Sequence, residues 1–564
     1  MHIFINKYKY LILGIIFLLG LFLRFYMLGS NPPSLNWDEV STGYNAYSIL
    51  KTGKDEYGNF LPISIRSFDD YKPPLYTYLD VPFIAIFGVT EVAVRVPSAI
   101  LGTATILIMY FFILELFPYK KEKKSGFDPS VYRQPLALLG AFFFAVSPWS
   151  LQFSRAAYEG NIGLFFLLGA LLFFLKALEK KWYLYLSTIF FVLSMYSYHS
   201  FRLVVPLLLI VIVILFAKQL MKIKKTVVLS FLIFALLVLP IFYSLFASGS
   251  GTGSRLSMVT LFGTSPNLDH SISQLEHDKQ QNDLLGEVLH NRRIVYALAI
   301  TKGYLDHYNP DFLFLHGDGG RQHHAVDMGM LYLYDLPFLL LGFLIISRHM
   351  SRRTCLLFGF LLLSPLPSAI TTGTPHPVRA IAMLPGLLVL ISVGAVWLLY
   401  QISLVRTKVV GFRIRHLLFA IIFVVFAGNT VYYFHQYYVH TPLEYGDFWQ
   451  YGSKEAIEYA KEHEDEYANI VITYKYDQPY AYYLFHNKVD PAWYQNNWNF
   501  TKNGEMPRFE RRIGKYIFRN INWGEDQKLK NTLFIGTPDE IPESSSIKQI
   551  NFLNGDRAFN ISRT

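Results

Sequence analysis

The sequence predicts an α-helical polytopic membrane protein that carries a small soluble α/β domain at its C-terminus. Three observations lead there. Of 564 residues, 52% are hydrophobic and 17% aromatic, while only 16% are charged. Apolar runs near or above the ~20 residues that cross a hydrocarbon core recur along most of the chain. After residue 434 that pattern stops, and short helical and strand-like segments replace it.

The first apolar run, 10–28, follows Lys7 and Lys9 as the core of a signal peptide would. It is long for that role and no small-x-small cleavage site follows, so it is expected to stay as an anchor. Further spans are expected at 91–116, 135–150, 162–178, 183–199, 203–217, 226–246, 331–347, 354–370, 378–400 and 416–434. That makes about eleven in all. The apolar segment 75–88 is short and is expected at the membrane interface.

Lysines and arginines orient the chain. Lys120, Lys121, Lys123, Lys124 and Arg133 fill one short loop, Lys180 and Lys181 another, and Lys218, Lys222, Lys224 and Lys225 a third. Arg348, Arg352 and Arg353 follow, then Arg406, Lys408, Arg413 and Arg415. With eleven spans, all five loops fall on the side of the N-terminus, which is therefore expected to be cytoplasmic in a bacterial-type cell membrane. The extracytoplasmic side then holds loops 29–74, 151–161, 247–330 and 371–377 and the tail, which carry the acids, histidines and prolines. The expected division is a membrane domain over 1–434 and a soluble domain over 435–564. In the tail, Ser453 is the expected N-cap of a helix to Glu462. Strands are expected at 469–474, 516–519, 532–535 and 547–552, with a helix over 479–485.

Composition also excludes functions. The net charge of +10 is clustered between apolar runs, which fits membrane-facing loops rather than a nucleic-acid groove. Cys355 is the single cysteine, so neither a disulfide framework nor a cysteine metal cage is available. Span interiors hold little that ionises, which argues against an ion-coupled transport path.

The chemistry-bearing residues cluster outside. Asp38 and Glu39 stand side by side after Trp37, just beyond the first span. A carboxylate there can take a proton from an attacking hydroxyl, and a second beside it can hold a sugar or raise the basicity of the first. The plainer reading makes Asp38 the cap of a helix over 40–50. Lys72 precedes Pro73 and Pro74, which fix an extended approach to the apolar segment. A lysine at that depth either meets a lipid phosphate as a point charge or snorkels. Arg155 is expected in a short outer loop, either paired with Glu159 at i+4 or meeting phosphate. His199 and Arg202 have similar but weaker claims, as does Asp70. The loop with His316, Asp318, Arg321, His323 and His324 offers metal-ligand types at no strong metal spacing, so contacts to sugar hydroxyls or phosphate are preferred. His376 and Arg379 repeat that theme in a later loop.

Taken together, Trp37-Asp38-Glu39, Lys72-Pro73-Pro74-Leu75, Glu91-Val92-Ala93-Val94-Arg95-Val96-Pro97-Ser98 and Ser154-Arg155 resemble membrane glycosyltransferases of the GT-C class. The resemblance is to the bacterial protein O-mannosyltransferase-like and aminoarabinose-transferase-like groups (glycosyltransferase families 39 and 83). It covers roughly the first two hundred residues well and the later outer loops less fully. It implies a GT-C fold and an inverting transferase that takes a sugar from a polyprenyl-phosphate carrier on the outer face. It implies Asp38 as base, with Lys72 and Arg155 near the substrate phosphate. The acceptor is a lipid, glycan or protein. Two departures matter. Position 41 is serine, where aminoarabinose enzymes tend to carry arginine, and the Trp-Trp-Asp-Tyr-Gly element of oligosaccharyltransferases is missing.

No Asp-x-Asp motif flanks the site, so no cofactor is expected, though room is left for a divalent metal. A lipid-linked sugar flippase would want polar span interiors and symmetric halves, and neither is visible. A polysaccharide ligase or polymerase with a diphosphate-linked donor stays open.

Overall fold

The computed structural model describes residues 2–68, 70–119, 126–246, 260–261, 266–406, 408–409, 412–497 and 510–564. Lys120, Lys121, Lys123 and Lys124 of the first basic loop lie outside the described residues, as do 247–259 and 262–265 of the long outer loop. Among the described residues, seven helices are long and apolar enough to cross a membrane, or eight if one bent pair is a single span. The protein is therefore an integral membrane protein.

The difference from the eleven expected spans is one of length. The runs at 183–199, 331–347 and 354–370 fold as Tyr183–Ser197, Asp335–Arg348 and Arg352–Leu363, of 15, 14 and 12 residues. The bent pair is Arg133–Val146 followed by Pro148–Arg155, at 53° to each other. Pro148 pushes the residue before it out of the helical region, and Ser147 sits at φ −55°, ψ 132°. The apolar segment at 75–88 is a short helix, Leu75–Phe87.

The chain divides into two compact units. The first comprises Met1–Leu23, Leu101–Phe153 and Gly160–Tyr433. Within it, Asp335–Arg348 packs along Met383–Leu404 at two glycines. A methyl on Gly342 would land on the Leu390 carbonyl, and one on Gly394 on the Phe338 carbonyl. Small residues let membrane helices approach this closely, because packing and not hydrophobicity drives their association in lipid.

The second unit comprises Arg24–Ile100, Ser154–Glu159 and Phe434–Thr564. The C-terminal module thus shares one unit with the loops around Asp38, Lys72 and Arg155. Its core is a six-stranded sheet in the order Glu510–Ile513, Tyr516–Arg519, Asn469–Ile472, Thr532–Gly536, Arg557–Arg563, Lys548–Asn551. The central strand Asn469–Ile472 is parallel to both neighbours, and the remaining pairs are antiparallel. Val471, Phe534, Ile521 and Ile541 form an apolar cluster beneath it. Ser453 is not the N-cap of its helix but the first helical residue. Gly452 holds the cap position at φ 92°, where a side chain would be strained.

The module grips the helix Trp37–Thr52. Tyr44 donates to the Val489 carbonyl at 3.2 Å, and Tyr482 to that of Leu35 at 3.0 Å. Gln495 Nε2 reaches Ser48 Oγ, Thr52 Oγ1 and the Asp55 carbonyl at 2.9–3.1 Å. At Gly43 a Cβ would meet Phe485 and Val94, each at 2.6 Å.

Replacing Gly342 by leucine is expected to lower the stability of the first unit by about 1–3 kcal/mol or more. Thermal unfolding and size-exclusion behaviour in detergent check this. A Gly342→Leu protein as stable and monodisperse as the parent would contradict the close helix crossing.

Candidate active site

The helix Trp37–Thr52 begins with a capping box. Asn36, not Asp38, is the cap: its side chain accepts from Glu39 N at 3.0 Å, and Glu39 Oε2 accepts from Asn36 N at 3.2 Å. Asp38 is consequently the second helical residue and is free of capping duty. Neighbouring residues on a helix diverge by about 100°, so the two carboxylates separate at once.

Glu39 turns inward and is 1% exposed. Its Oε1 accepts from Arg95 Nε at 3.0 Å and from Ala157 N at 2.9 Å, and its Oε2 from Arg95 Nη2 at 3.1 Å as well as from Asn36. Those four bonds use the acceptor capacity of a carboxylate. Arg95 donates its remaining N–H groups to the carbonyls of Leu28 at 3.0 Å, Pro32 at 2.9 Å and Ser34 at 2.5 Å. The Glu39–Arg95 pair therefore holds loop 28–34, the start of the helix and Ala157 together.

Asp38 faces the other way, with its side chain 60% exposed. Its Oδ1 lies 2.6 Å from Lys72 Nζ, and that lysine side chain is only 6% exposed. Lys72 also donates to the Asp38 carbonyl at 3.4 Å and stands 5.0 Å over the ring of Phe68. It ends the strand Asp70–Lys72, paired antiparallel with Ile65–Ser67 in the register Ile65↔Lys72. Pro73 and Pro74 then open the helix Leu75–Phe87. Asp70 turns on its own strand, accepting from Tyr71 N at 2.7 Å. Trp37 is half-buried beside the exposed carboxylate.

Arg155 ends the helix Pro148–Arg155 and is buried, instead of standing in an open loop. It donates to Tyr437 Oη at 3.0 Å and to the carbonyls of Asn31 at 2.8 Å and Met27 at 3.5 Å. Tyr437 and Tyr438 each present a ring face 5.4 Å from the guanidinium.

The other expected residues belong to the first unit. Arg202 bonds His199 Nδ1 at 3.2 Å and the Met195 carbonyl at 3.3 Å. His316 pairs with Asp311 at 2.6 Å on the surface, and Arg321 is exposed. His323 Nδ1 meets Asp318 Oδ2 at 2.8 Å, with Phe153 stacked 6.0 Å away and His376 at 5.0 Å. His324 has both nitrogens on backbone carbonyls, those of Ala325 and Asp318, each at 2.9 Å. His316, Asp318, His323 and His324 thus do not converge on one point. Among the described residues no group of three or more His, Cys, Asp or Glu is placed to hold a metal ion. Arg379 bonds Thr371 Oγ1 at 2.6 Å and the Thr372 carbonyl at 2.8 Å. Burial, with His323 and Arg379 adding like charge, holds His376 well below the ordinary histidine range, so it is a neutral imidazole.

Four participants escaped the sequence reading. Arg95 lies in one of the motifs singled out, but its partner is 56 positions away and no local signal links them. His307, which accepts from His376 N at 3.1 Å, has no motif. Glu56 and Tyr480 form a buried pair, with Tyr480 Oη 3.4 Å from Glu56 Oε1. Burial pushes the Glu56 carboxyl up to about 8, with Asp55 adding to the rise and Arg511 and Lys72 opposing it.

No protein-family model and no curated protein matches the chain. Among solved structures the chain is similar to ArnT from Cupriavidus metallidurans in the apo state, with a TM-score of 0.53 and 11% identity over 99% of this chain and 98% of that one. It is also similar to the archaeal oligosaccharyltransferase AglB from Archaeoglobus fulgidus, solved with an inhibitory peptide and a dolichol-phosphate. There the TM-score is 0.50 and identity 15%, over 86% of this chain. The chain spans 64% of the length of AglB. At such identities the likeness is one of fold.

Two predictions follow from the geometry. Glu39→Ala leaves the Arg95 charge buried without its partner and is expected to cost about 3–5 kcal/mol. Chemical denaturation in detergent reads this, and a change under about 0.5 kcal/mol would contradict the anchoring role. The second concerns pH. Glu56 has a folded-state value of about 8, above its ordinary 4.5, so the folded protein holds the proton more tightly between them. The stability linked to that proton is fully present below the unfolded value and is lost as pH rises through the folded one. The thermal midpoint is expected to fall between about pH 4.5 and about pH 8, and Glu56→Gln should flatten that fall.

Proposed function

We propose that the protein is an inverting glycosyltransferase that moves a hexosyl or pentosyl group from a polyprenyl-phosphate carrier to a lipid, glycan or protein acceptor on the extracytoplasmic face. One observation carries this reading: an exposed carboxylate, Asp38, within 2.6 Å of a buried lysine, Lys72, at the mouth of an apolar helix. Buried in that position, Lys72 is a fixed cation at headgroup depth. An anionic lipid phosphate is the ligand such a group is built to receive. The solved AglB, which shares the fold, was crystallised with a dolichol-phosphate.

The acceptor hydroxyl attacks the anomeric carbon and gives its proton to Asp38. The bond from that carbon to the phosphate oxygen breaks, and the electron pair leaves on the phosphate, where Lys72 meets the growing charge. Inversion requires base and leaving group on opposite sides of the carbon, an arrangement reached only once the donor phosphate has taken Lys72 and Asp38 has left it. At rest Lys72 binds Asp38. The donor phosphate competes for the same ammonium, so donor binding frees the carboxylate and strengthens it as a base. Arg155, committed to the Asn31 and Met27 carbonyls, adds positive charge and holds the loop before the capping box. Glu39 fixes Asp38 and does not touch the sugar. Lys72 supplies the cation that a metal would otherwise provide, so transfer proceeds without a divalent ion. On this reading the N-terminus is cytoplasmic and the C-terminal module lies outside, as the lysine and arginine bias of the loops suggests.

The test is incubation of purified protein with a panel of radiolabelled polyprenyl-monophosphate and polyprenyl-diphosphate sugars, with and without chelator. Release or transfer of one sugar from a monophosphate carrier is expected, unaffected by chelator. Asp38→Asn should lower turnover by about 10²–10⁴-fold. Turnover restricted to diphosphate donors, or unaltered in Asp38→Asn, would overturn the reading.

A further inference from the structure

Phe68 occupies the tip of the hairpin that carries Lys72, at φ 58°, a left-handed conformation that a bulky residue keeps only where its surroundings over-determine it. Two tyrosines do so. Phe68 N donates to Tyr480 Oη at 3.2 Å, and the Phe68 carbonyl accepts from Tyr57 Oη at 2.6 Å. The Phe68 ring meets that of Tyr480 edge-on at 6.2 Å, and its face lies 5.0 Å from the Lys72 ammonium. Tyr480 is itself buried and fixed from two further directions. Its hydroxyl reaches Glu56 Oε1 at 3.4 Å, and the Arg511 guanidinium covers its ring at 3.8 Å.

We infer that Tyr480 is a positioning residue for Lys72. Through Phe68 it sets the height and direction of the ammonium, which makes the C-terminal module a working part of the active site. Tyr480 lies 412 positions after Phe68, so the module closes the seat from the far end of the chain. Removing the hydroxyl frees the Phe68 amide, lets the hairpin tip relax, and gives Lys72 a wider range of positions over which to meet a phosphate. The inference rests on the reading of Lys72 as the donor-phosphate ligand.

The experiment measures equilibrium binding of a polyprenyl phosphate to the full-length protein in detergent, alongside kcat and donor KM. Tyr480→Phe keeps the ring between Arg511 and Phe68 and removes only the hydroxyl. It is expected to weaken polyprenyl phosphate binding by about 3–10-fold, the effect of one lost hydrogen bond, and to lower kcat as well, because Lys72 also meets the charge that grows on the leaving phosphate. Placed in a Lys72→Ala background, the same change is expected to alter binding by less than about twofold, because positioning has no effect without the lysine. A purely structural tyrosine would weaken both backgrounds equally, and that result overturns the inference, as does unaltered binding by Tyr480→Phe. If Tyr480→Phe does not fold, Phe68→Leu takes its place, since it removes the ring beneath the ammonium and leaves Tyr480 untouched. The same non-additive loss supports the inference, and none overturns it. Ordinary binding by Lys72→Ala alone would overturn the underlying reading of the lysine instead.

Discussion

The second unit depends on one buried ion pair. Arg95 offers five N–H groups and finds five acceptors, three carbonyls and two carboxylate oxygens. Glu39 offers four acceptor sites and finds four donors. Two ions taken out of water lose several kcal/mol of hydration each, and only saturation of this kind offsets the loss. Lysine, with three donors and no fork, could not satisfy the same carbonyls. What results is less a gain in stability than a fixed geometry. Loop 28–34 and the first turn of the helix have one arrangement, and in it the residue before Glu39 must point outward.

That outward residue is Asp38, and its neighbours are set by other elements of the same unit. The hairpin brings Lys72 to it, the two prolines after Lys72 begin the apolar helix, and the C-terminal module packs behind both. The module's hydrogen bonds to this helix and to Leu35 just before it involve Tyr482, Val489 and Gln495, spread over more than ten residues of its chain. A domain merely tethered to the membrane part would not bury hydroxyls and amides against the helix that carries Asp38. Each buried donor has to find an acceptor, which ties the module to this one docking.

How much of this was legible in sequence follows from the range of each interaction. Span positions were legible because each apolar run carries its own signal, although Asp335–Arg348 and Arg352–Leu363 fold shorter than their runs. Asp38 and Lys72 were each singled out from sequence, as base and as phosphate ligand, but their ion pair was not. The capping box was not read from the sequence. Asn36 and Asp38 are both good caps, and what decides between them is Glu39 at the third helical position, held there by a distant arginine. In the tail, the apolar strands Asn469–Ile472 and Thr532–Gly536 were plain. Glu510–Ile513 was not, because its alternation buries Arg511, a charged residue in an inward position. The histidine-rich loop looked like one cluster by composition, yet each of His316, His323 and His324 has a separate local partner.

The pairing of Asp38 with Lys72 raises a physical question that the geometry itself answers. A base held 2.6 Å from a cation is a weak base, since the positive charge favours its ionised form. Such a pair suits catalysis only if something displaces the lysine. The asymmetry of exposure supplies the direction. Lys72 is buried, fixed by its strand and by the Phe68 ring, whereas the Asp38 side chain is 60% exposed. On the proposed reading the donor phosphodiester, a monoanion like the carboxylate, competes with Asp38 for the ammonium, and the released polyprenyl phosphate, which can carry a second charge, holds it more strongly. On that same reading the carboxylate moves and the lysine stays, so the cation remains where the leaving group needs it and the base gains strength only once a donor is bound.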